Sequence, residues 1–368
     1  MIETNFKHTD IGLIPHDWEV KTLGDLLSIC NGRDYKHLSQ GSIPVYGTGG
    51  IIAMVNDYLY DGETICIGRK GTIDKPQYHK GKIWTVDTLF YTKNFFANPL
   101  FLYFKSQTIN WHAINEATGV PSLTSKNIAK VQIPLPPTLA EQEKIANALS
   151  KIDQLINDLG ALIEKKKAIK QGTMQDLLTA KRRLKGFTGE WKEKQLKEIC
   201  ERYDNLRIPI SAKLRKKGNT PYYGANGIQD YVEGYTHDGE FILIAEDGAN
   251  SLTNYPIKYV IGKIWVNNHA HVITAKDEKT NNVYLSYALK CVDFESNIVG
   301  SGRAKLNADT LMQLSVVIPP TLAEQNAIAN ILSSMDTEIT NLEQKRNKYI
   351  AIKQGMMQNL LTGKIRLI

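Results

Sequence analysis

Four carboxylates crowd one stretch of the chain, Asp238, Glu240, Glu246 and Asp247. A nuclease uses such a cluster to hold the divalent cation that activates its water. The internal repeat described below sets Glu246 and Asp247 against Arg69 and Lys70, so a duplicated metal site is excluded. Were the chain to meet a nucleic acid, the acids could accept from cytosine N4; the other role open to them is to fix a neighbouring basic side chain. His269 and His271 would share a face of a strand, but no third ligand is evident, and Thr88 and Phe90 stand there in the other copy. Satisfied structural histidines, or histidines facing a nucleic acid, are expected. An adenine methyltransferase needs a glycine-rich cofactor loop and an Asn-Pro-Pro-aromatic motif for the flipped base; Asn98-Pro99-Leu100 comes nearest and lacks the second proline. No Gly-x-x-x-x-Gly-Lys-Ser/Thr phosphate loop occurs either. We therefore assign no catalytic residue, no metal and no cofactor to this chain. The run Lys165-Lys166-Lys167 reads first as solvated helix surface and second as a phosphate or partner contact.

Whatever positions these groups is large enough for two or three domains, at 368 residues. With 42% apolar and 23% charged residues the composition is that of a folded protein. No stretch approaches the roughly 18 consecutive apolar residues of a membrane span, and the first residues lack a secretory pattern. Cys30, Cys66, Cys200 and Cys291 form no Cys-x-x-Cys pair. The expectation is a cytoplasmic protein without a membrane partner. A net charge of +7 is compatible with a polyanionic partner without requiring one.

The informative feature is a repeat. Pro136-Pro137-Thr138-Leu139-Ala140-Glu141-Gln142 returns as Pro319-Pro320-Thr321-Leu322-Ala323-Glu324-Gln325, and 29 of 50 positions from Pro136 to Lys185 are identical without a gap. The segments before them match weakly: Trp18 with Trp191, Tyr46 with Tyr223 and Trp84 with Trp265, at an offset drifting from 173 to 181. Small insertions in loops explain the drift. The chain thus alternates variable module, near-constant segment, variable module, near-constant segment.

Ile145, Leu149, Ile152, Ile156, Leu159 and Ile163 have the 4-3 spacing of a coiled-coil seam, repeated by Ile328, Leu332, Met335, Ile339 and Leu342. Each segment predicts a helix of about 40 residues, roughly 60 Å long. The paired prolines suit a helix start, and Thr138 and Thr321, each with glutamate three residues on, make a capping-box pattern. Gly363 closes the second helix, where the first has Ala180. A helix that long needs a partner for its apolar stripe, and the near-identical copy provides one. The expected arrangement is an antiparallel coiled coil with pseudo-two-fold internal symmetry.

In the variable modules, runs such as Thr64–Ile67, Lys82–Val86, Glu240–Ala245 and Val260–Val266 predict strands, and Leu100–Phe104 and Tyr284–Leu289 short helices. The fold class is mixed α/β: two α/β domains joined by two long helices. The divisions are an N-terminal segment 1–17, modules 18–135 and 182–318, and helical regions 136–181 and 319–368. Polar, glycine-containing loops differ between copies, and their side chains can hydrogen-bond base edges and phosphates. The candidate DNA contacts are Thr48, Arg69, Lys70 and Lys126 in the first module, and Asn226, Glu246, Asn250, Arg303 and Lys305 in the second.

Three phrases combine: Ile11-Gly12-Leu13-Ile14-Pro15-His16-Asp17-Trp18-Glu19-Val20, the twice-used Pro-Pro-Thr-Leu-Ala-Glu-Gln, and Met357-Gln358-Asn359-Leu360-Leu361-Thr362-Gly363-Lys364-Ile365-Arg366-Leu367. Together they resemble the specificity subunit of type I restriction–modification systems, over essentially the whole chain. Ala180 and the more basic Lys181-Arg182-Arg183 are small departures. The resemblance implies a non-catalytic subunit with two target-recognition domains, each reading one half of a bipartite, asymmetric site on double-stranded DNA. It also implies that the helices set the spacer and dock two modification (methyltransferase) subunits, with restriction (nuclease–translocase) subunits joining that core. S-adenosylmethionine, ATP and Mg2+ would then belong to the partners. A piece of a fused restriction–modification enzyme, and a duplicated protein-binding scaffold without a DNA role, are the alternatives.

Overall fold

The computed structural model describes residues 5–297 and 305–368; Arg303 lies outside them. Two compact units divide the chain, residues 1–160 with 344–368 and residues 161–343. The helices Leu139–Leu178 and Leu322–Leu360, of 40 and 39 residues, each run through both units. Neither Gly160 nor Gly172 interrupts the first, whose other residues favour the helix strongly enough to absorb about 1 kcal/mol per glycine.

In the first unit six strands lie in the order Ser28–Asn31, Leu89–Lys93, Tyr60–Gly68, Gln77–Thr85, Gln40–Gly47, Gly50–Val55. All neighbours are antiparallel except Gln40–Gly47 and Gln77–Thr85, which run parallel through Val45–Trp84 and Tyr46–Thr85. The second unit repeats this order with Cys200–Arg202, Ala270–Ala275, His237–Ala245, Ile257–Val266, Lys217–Gly224 and Gly227–Val232. Its one parallel pair is the equivalent one, Tyr222–Trp265 and Tyr223–Val266. The indoles kept at these places do the same work: Trp84 donates to the Arg33 carbonyl (2.9 Å) and Trp265 to the Ile208 carbonyl (2.7 Å).

Within each unit the two long helices pair antiparallel, since partner numbers fall along one helix as they rise along the other. Ion pairs join Asp153 to Lys353 in the first unit, and Lys166 to Glu338 and Lys170 to Asp336 in the second. Two members of the lysine run, Lys166 and Lys167, thus meet carboxylates of the other helix. Ile152, Leu159, Ile163 and Ile339 are buried, and Ile156, Met335 and Leu342 half-buried. The outer turns join the sheet domains instead. Ile145 and Leu149 pack with Trp18, Phe101 and Trp111, and Ile328 and Leu332 with Ile242, Tyr284 and Leu285. Each such side chain contributes about 1.5–3 kcal/mol of burial.

The repeated Pro-Pro-Thr-Leu-Ala-Glu-Gln phrase explains itself at the helix starts. Thr138 and Thr321 accept from the backbone of Glu141 and Glu324, each at 3.3 Å. The glutamates do not complete the capping box that the spacing implies. Glu141 is buried and takes a two-pronged contact from Arg366, and Glu324 takes one from Arg183. Charge-assisted, bidentate pairing outcompetes a single backbone N–H. The glutamines reach further: Gln142 donates to the Pro136 carbonyl (2.9 Å) and accepts from the Asn98 backbone (2.8 Å), while Asn98 caps the helix Pro99–Ser106. Gln325 repeats this with Pro319, Asn281 and the helix Asn282–Ala288.

Lys105 is buried just past the end of the second long helix, donating to the Leu361 carbonyl at 3.1 Å. Desolvation pushes its pKa down to about 8. The unfolded chain therefore holds more protons than the folded one between about pH 8 and 10.5, so this group adds stability as pH rises through that window. Lys105→Met should abolish that rise in unfolding free energy; an unchanged pH profile would contradict it.

Candidate nucleic-acid interface

In both modules the chain leaves one sheet strand, Tyr60–Gly68 or His237–Ala245, at the same place and makes the same backbone contacts. After Gly68, Arg69 accepts from the Leu123 backbone (2.8 Å) and Lys70 bridges Ser122. After Ala245, Glu246 accepts from Leu306 (2.7 Å) and Asp247 bridges Lys305. The hairpin turn following Gly47 or Gly224 is tied down close by. Gln77 donates to the Gly47 and Thr48 carbonyls, while Asn226 donates to the Gly248 carbonyl and accepts from the Asn250 backbone. Beside the first turn His79 stacks on Tyr46, ring centroids 3.7 Å apart, and burial pushes its pKa down to about 4, leaving it neutral.

Arg69, Lys70, Lys305 and Glu246 are thus brought to equivalent loops, with Thr48 half-buried and Asn226 and Asn250 in the adjoining turns, Asn250 exposed. Lys126 sits apart, exposed on the short helix Ser125–Ala129. The side chains differ in their company. Arg69 is exposed, its guanidinium 5.8 Å from the Phe90 ring centre. Glu246 is enclosed: Arg207 meets it at 2.7 Å and Lys305 at 3.1 Å. Burial opposes its ionisation, but hydrogen bonds from Arg207 and Lys305 and nearby positive charge outweigh that and hold the carboxyl below its usual range. Asp204 is held down likewise against its own burial, chiefly by His271. Glu246 is therefore placed to fix basic side chains, one of its two expected roles.

The histidines do not form a pair. His269 binds Asp247 (2.6 Å), whereas His271, fully buried, binds Asp204 (2.7 Å) and the Leu306 carbonyl (2.8 Å). Asp204, Glu246 and His271 are close enough together to suggest a cation site. Arg207 and Lys305 already supply positive charge there, and Arg202 lies 3.7 Å from Asp204. The carboxylates Asp238 and Glu240 belong to the strand His237–Ala245 itself, and Glu240 accepts from the Tyr259 hydroxyl. They do not join Glu246. Sequence reasoning misses Asp204 and Arg207; they lie 67 and 39 residues from their partners, and no spacing rule links them.

One scaffold built twice, with the same backbone contacts and opposite charges at the loop, defines a duplicated recognition protein. The chain belongs to the type I restriction modification DNA specificity domain family, whose model matches residues 15–171 and 188–351. It is a specificity subunit of a type I restriction–modification system. A Haemophilus influenzae chain assigned as a type I restriction enzyme specificity subunit is 49% identical over 152 residues, 41% of this chain and 38% of that relative. The MjaVIII specificity subunit of Methanocaldococcus jannaschii is 26% identical across 99% of this chain and 96% of its own length. Among solved structures, the type I restriction–modification S subunit of M. genitalium has the same fold, with a TM-score of 0.74, 16% identity, and coverage of 98% of this chain and 97% of that one.

Proposed function

We propose that the modules 18–135 and 182–318 each read one half of a bipartite, asymmetric site on double-stranded DNA. The long helices fix the spacer and offer docking surfaces to two modification subunits. Methyl transfer, ATP-driven translocation and cleavage, with S-adenosylmethionine, ATP and Mg2+, then reside in modification and restriction subunits, in the cytoplasm. The observation carrying this reading is that the loop pairings Lys70–Ser122 and Asp247–Lys305 coincide in backbone while the basic Arg69 and Lys70 are replaced by the acidic Glu246 and Asp247. A scaffold held constant under opposite side chains suits two readers of different sequences.

Exchanging residues 18–135 for the matching module of a relative, followed by methylome sequencing of cells carrying the modification partner, should change one half-site and leave the other. A change in both halves would show that the modules do not read independently. S-adenosylmethionine binding by the isolated chain would favour the fused enzyme. Absence of sequence-specific DNA retention with the partners present would favour the protein scaffold.

A further inference from the structure

We infer that the two modules hold DNA by different electrostatics at this shared loop: the first presents free cations, Arg69 and Lys70, and the second, among its described residues, presents neutral polar groups on an internally compensated frame, in which Lys305 is a positioning residue. This rests on the DNA-reading role proposed above.

The reversal of charge is not an isolated difference at one position. Phe90 and His271 occupy equivalent places, each paired across the sheet with the penultimate residue of the strand leading into the loop, Ile67 or Ile244. Gly32 and Arg207 are equivalent too, since each precedes the residue whose carbonyl binds the conserved indole. Both also bond to equivalent carbonyls: the Gly32 backbone to Leu89, and the Arg207 side chain to Ala270. Three positions have therefore changed together. Where the loop residue is Arg69, its neighbours are an apolar ring and a glycine. Where it is Glu246, they are His271 and Arg207, with Asp204 behind.

Room enforces the coupling. A Cβ at Gly32 would come within 2.0 Å of the Val86 carbonyl oxygen, so the first module cannot carry an arginine there without moving backbone. Among the described residues, Arg69 and Lys70 have no carboxylate partner, and both are exposed. A Lys or Arg whose charge is not already matched is what releases counterions on meeting a phosphate. Among the described residues of the second module, the loop carboxylates have partners before any DNA arrives: Glu246 meets Arg207 and Lys305, Asp247 hydrogen-bonds with His269 and Asp204 with His271. Lys305 would have to leave Glu246 to serve a phosphate. Its role is to hold the segment beginning at Leu306 against the strand end, while exposed amides such as Asn250 face outward.

The test is the salt dependence of binding by the full chain, assembled with its modification partner, to a duplex carrying both half-sites. For R69Q/K70Q the slope of log affinity against log salt should flatten by up to about two, at about 0.9 for each phosphate no longer neutralised. For K305Q affinity should fall by a similar factor at every salt concentration, with the slope unchanged. E246Q releases Lys305 and should steepen the slope. Melting curves of each assembly identify any variant that fails to fold; for those, K305R replaces K305Q and should restore affinity without altering the slope. Equal flattening by K305Q and R69Q/K70Q, or an unchanged slope for the latter, would overturn the inference. If the unsubstituted assembly does not prefer its site over a scrambled duplex, the DNA-reading role itself fails.

Discussion

Arg366→Ala is expected to loosen the start of the first long helix by about 3 kcal/mol, the low end of the cost of breaking a buried ion pair. Arg366 holds Glu141 in a two-pronged contact and Asp17 in another, both Nη atoms lying 2.8 Å from Asp17 oxygens. Its side chain is 9% exposed and that of Glu141 3%, whereas Asp17 keeps 52% and is solvated without help. The loss therefore falls on Glu141, whose buried carboxyl group is left without its partner. Amide exchange over the first turns from Leu139 should accelerate about a hundredfold. Exchange within a factor of a few of the parent protein would show that the ion pair contributes little. Arg366→Lys should recover only part, because an ammonium cannot reproduce the planar fork.

Gly363→Ala should damage the same unit for a different reason. Gly363 has φ +71°, and a Cβ there would meet the Pro15 ring at 2.2 and 2.7 Å and the Trp18 indole at 3.2 Å. The left-handed backbone costs about 1–2 kcal/mol for a residue with a side chain, and overpacking a filled site about 1–3 more. A loss near 3 kcal/mol in urea unfolding of the first unit is the expected result. The equivalent Ala180 already carries this strain, at φ +58°. Ala180→Gly should therefore stabilise the second unit by about 0.5–1 kcal/mol, the relief being partly offset by glycine's greater unfolded freedom. A destabilising Ala180→Gly would mean that the alanine methyl makes packing contacts worth more than the strain.

Much of this architecture was legible because helices and strands write periodic patterns into the chain. The 4-3 rhythm from Ile145 and from Ile328 marked the long helices, and Tyr46, Trp84 and their counterparts marked one sheet used twice. Glu141 and Glu324 show the limit. Their spacing from threonine pointed to a local cap, yet each meets an arginine 225 or 141 residues away. The interface was legible as loops and not as networks. Glu246 could be picked as a loop acid, but Arg207, Asp204 and His271 converge on it only because strands distant in sequence are neighbours in the sheet.

The division of the long helices between units also bears on biosynthesis. Residues 161–343 form one uninterrupted unit, whereas the unit built around the first sheet needs residues 344–368 to cover Trp18 and Leu149. On the ribosome, chains grow from the N-terminus at about 5–20 residues per second. The domain translated first is thus completed last, and its hydrophobic face waits, uncovered, through synthesis of the whole second repeat. A premature stop codon shortly before Gly355 would therefore strike the unit built on the first sheet, encoded far upstream.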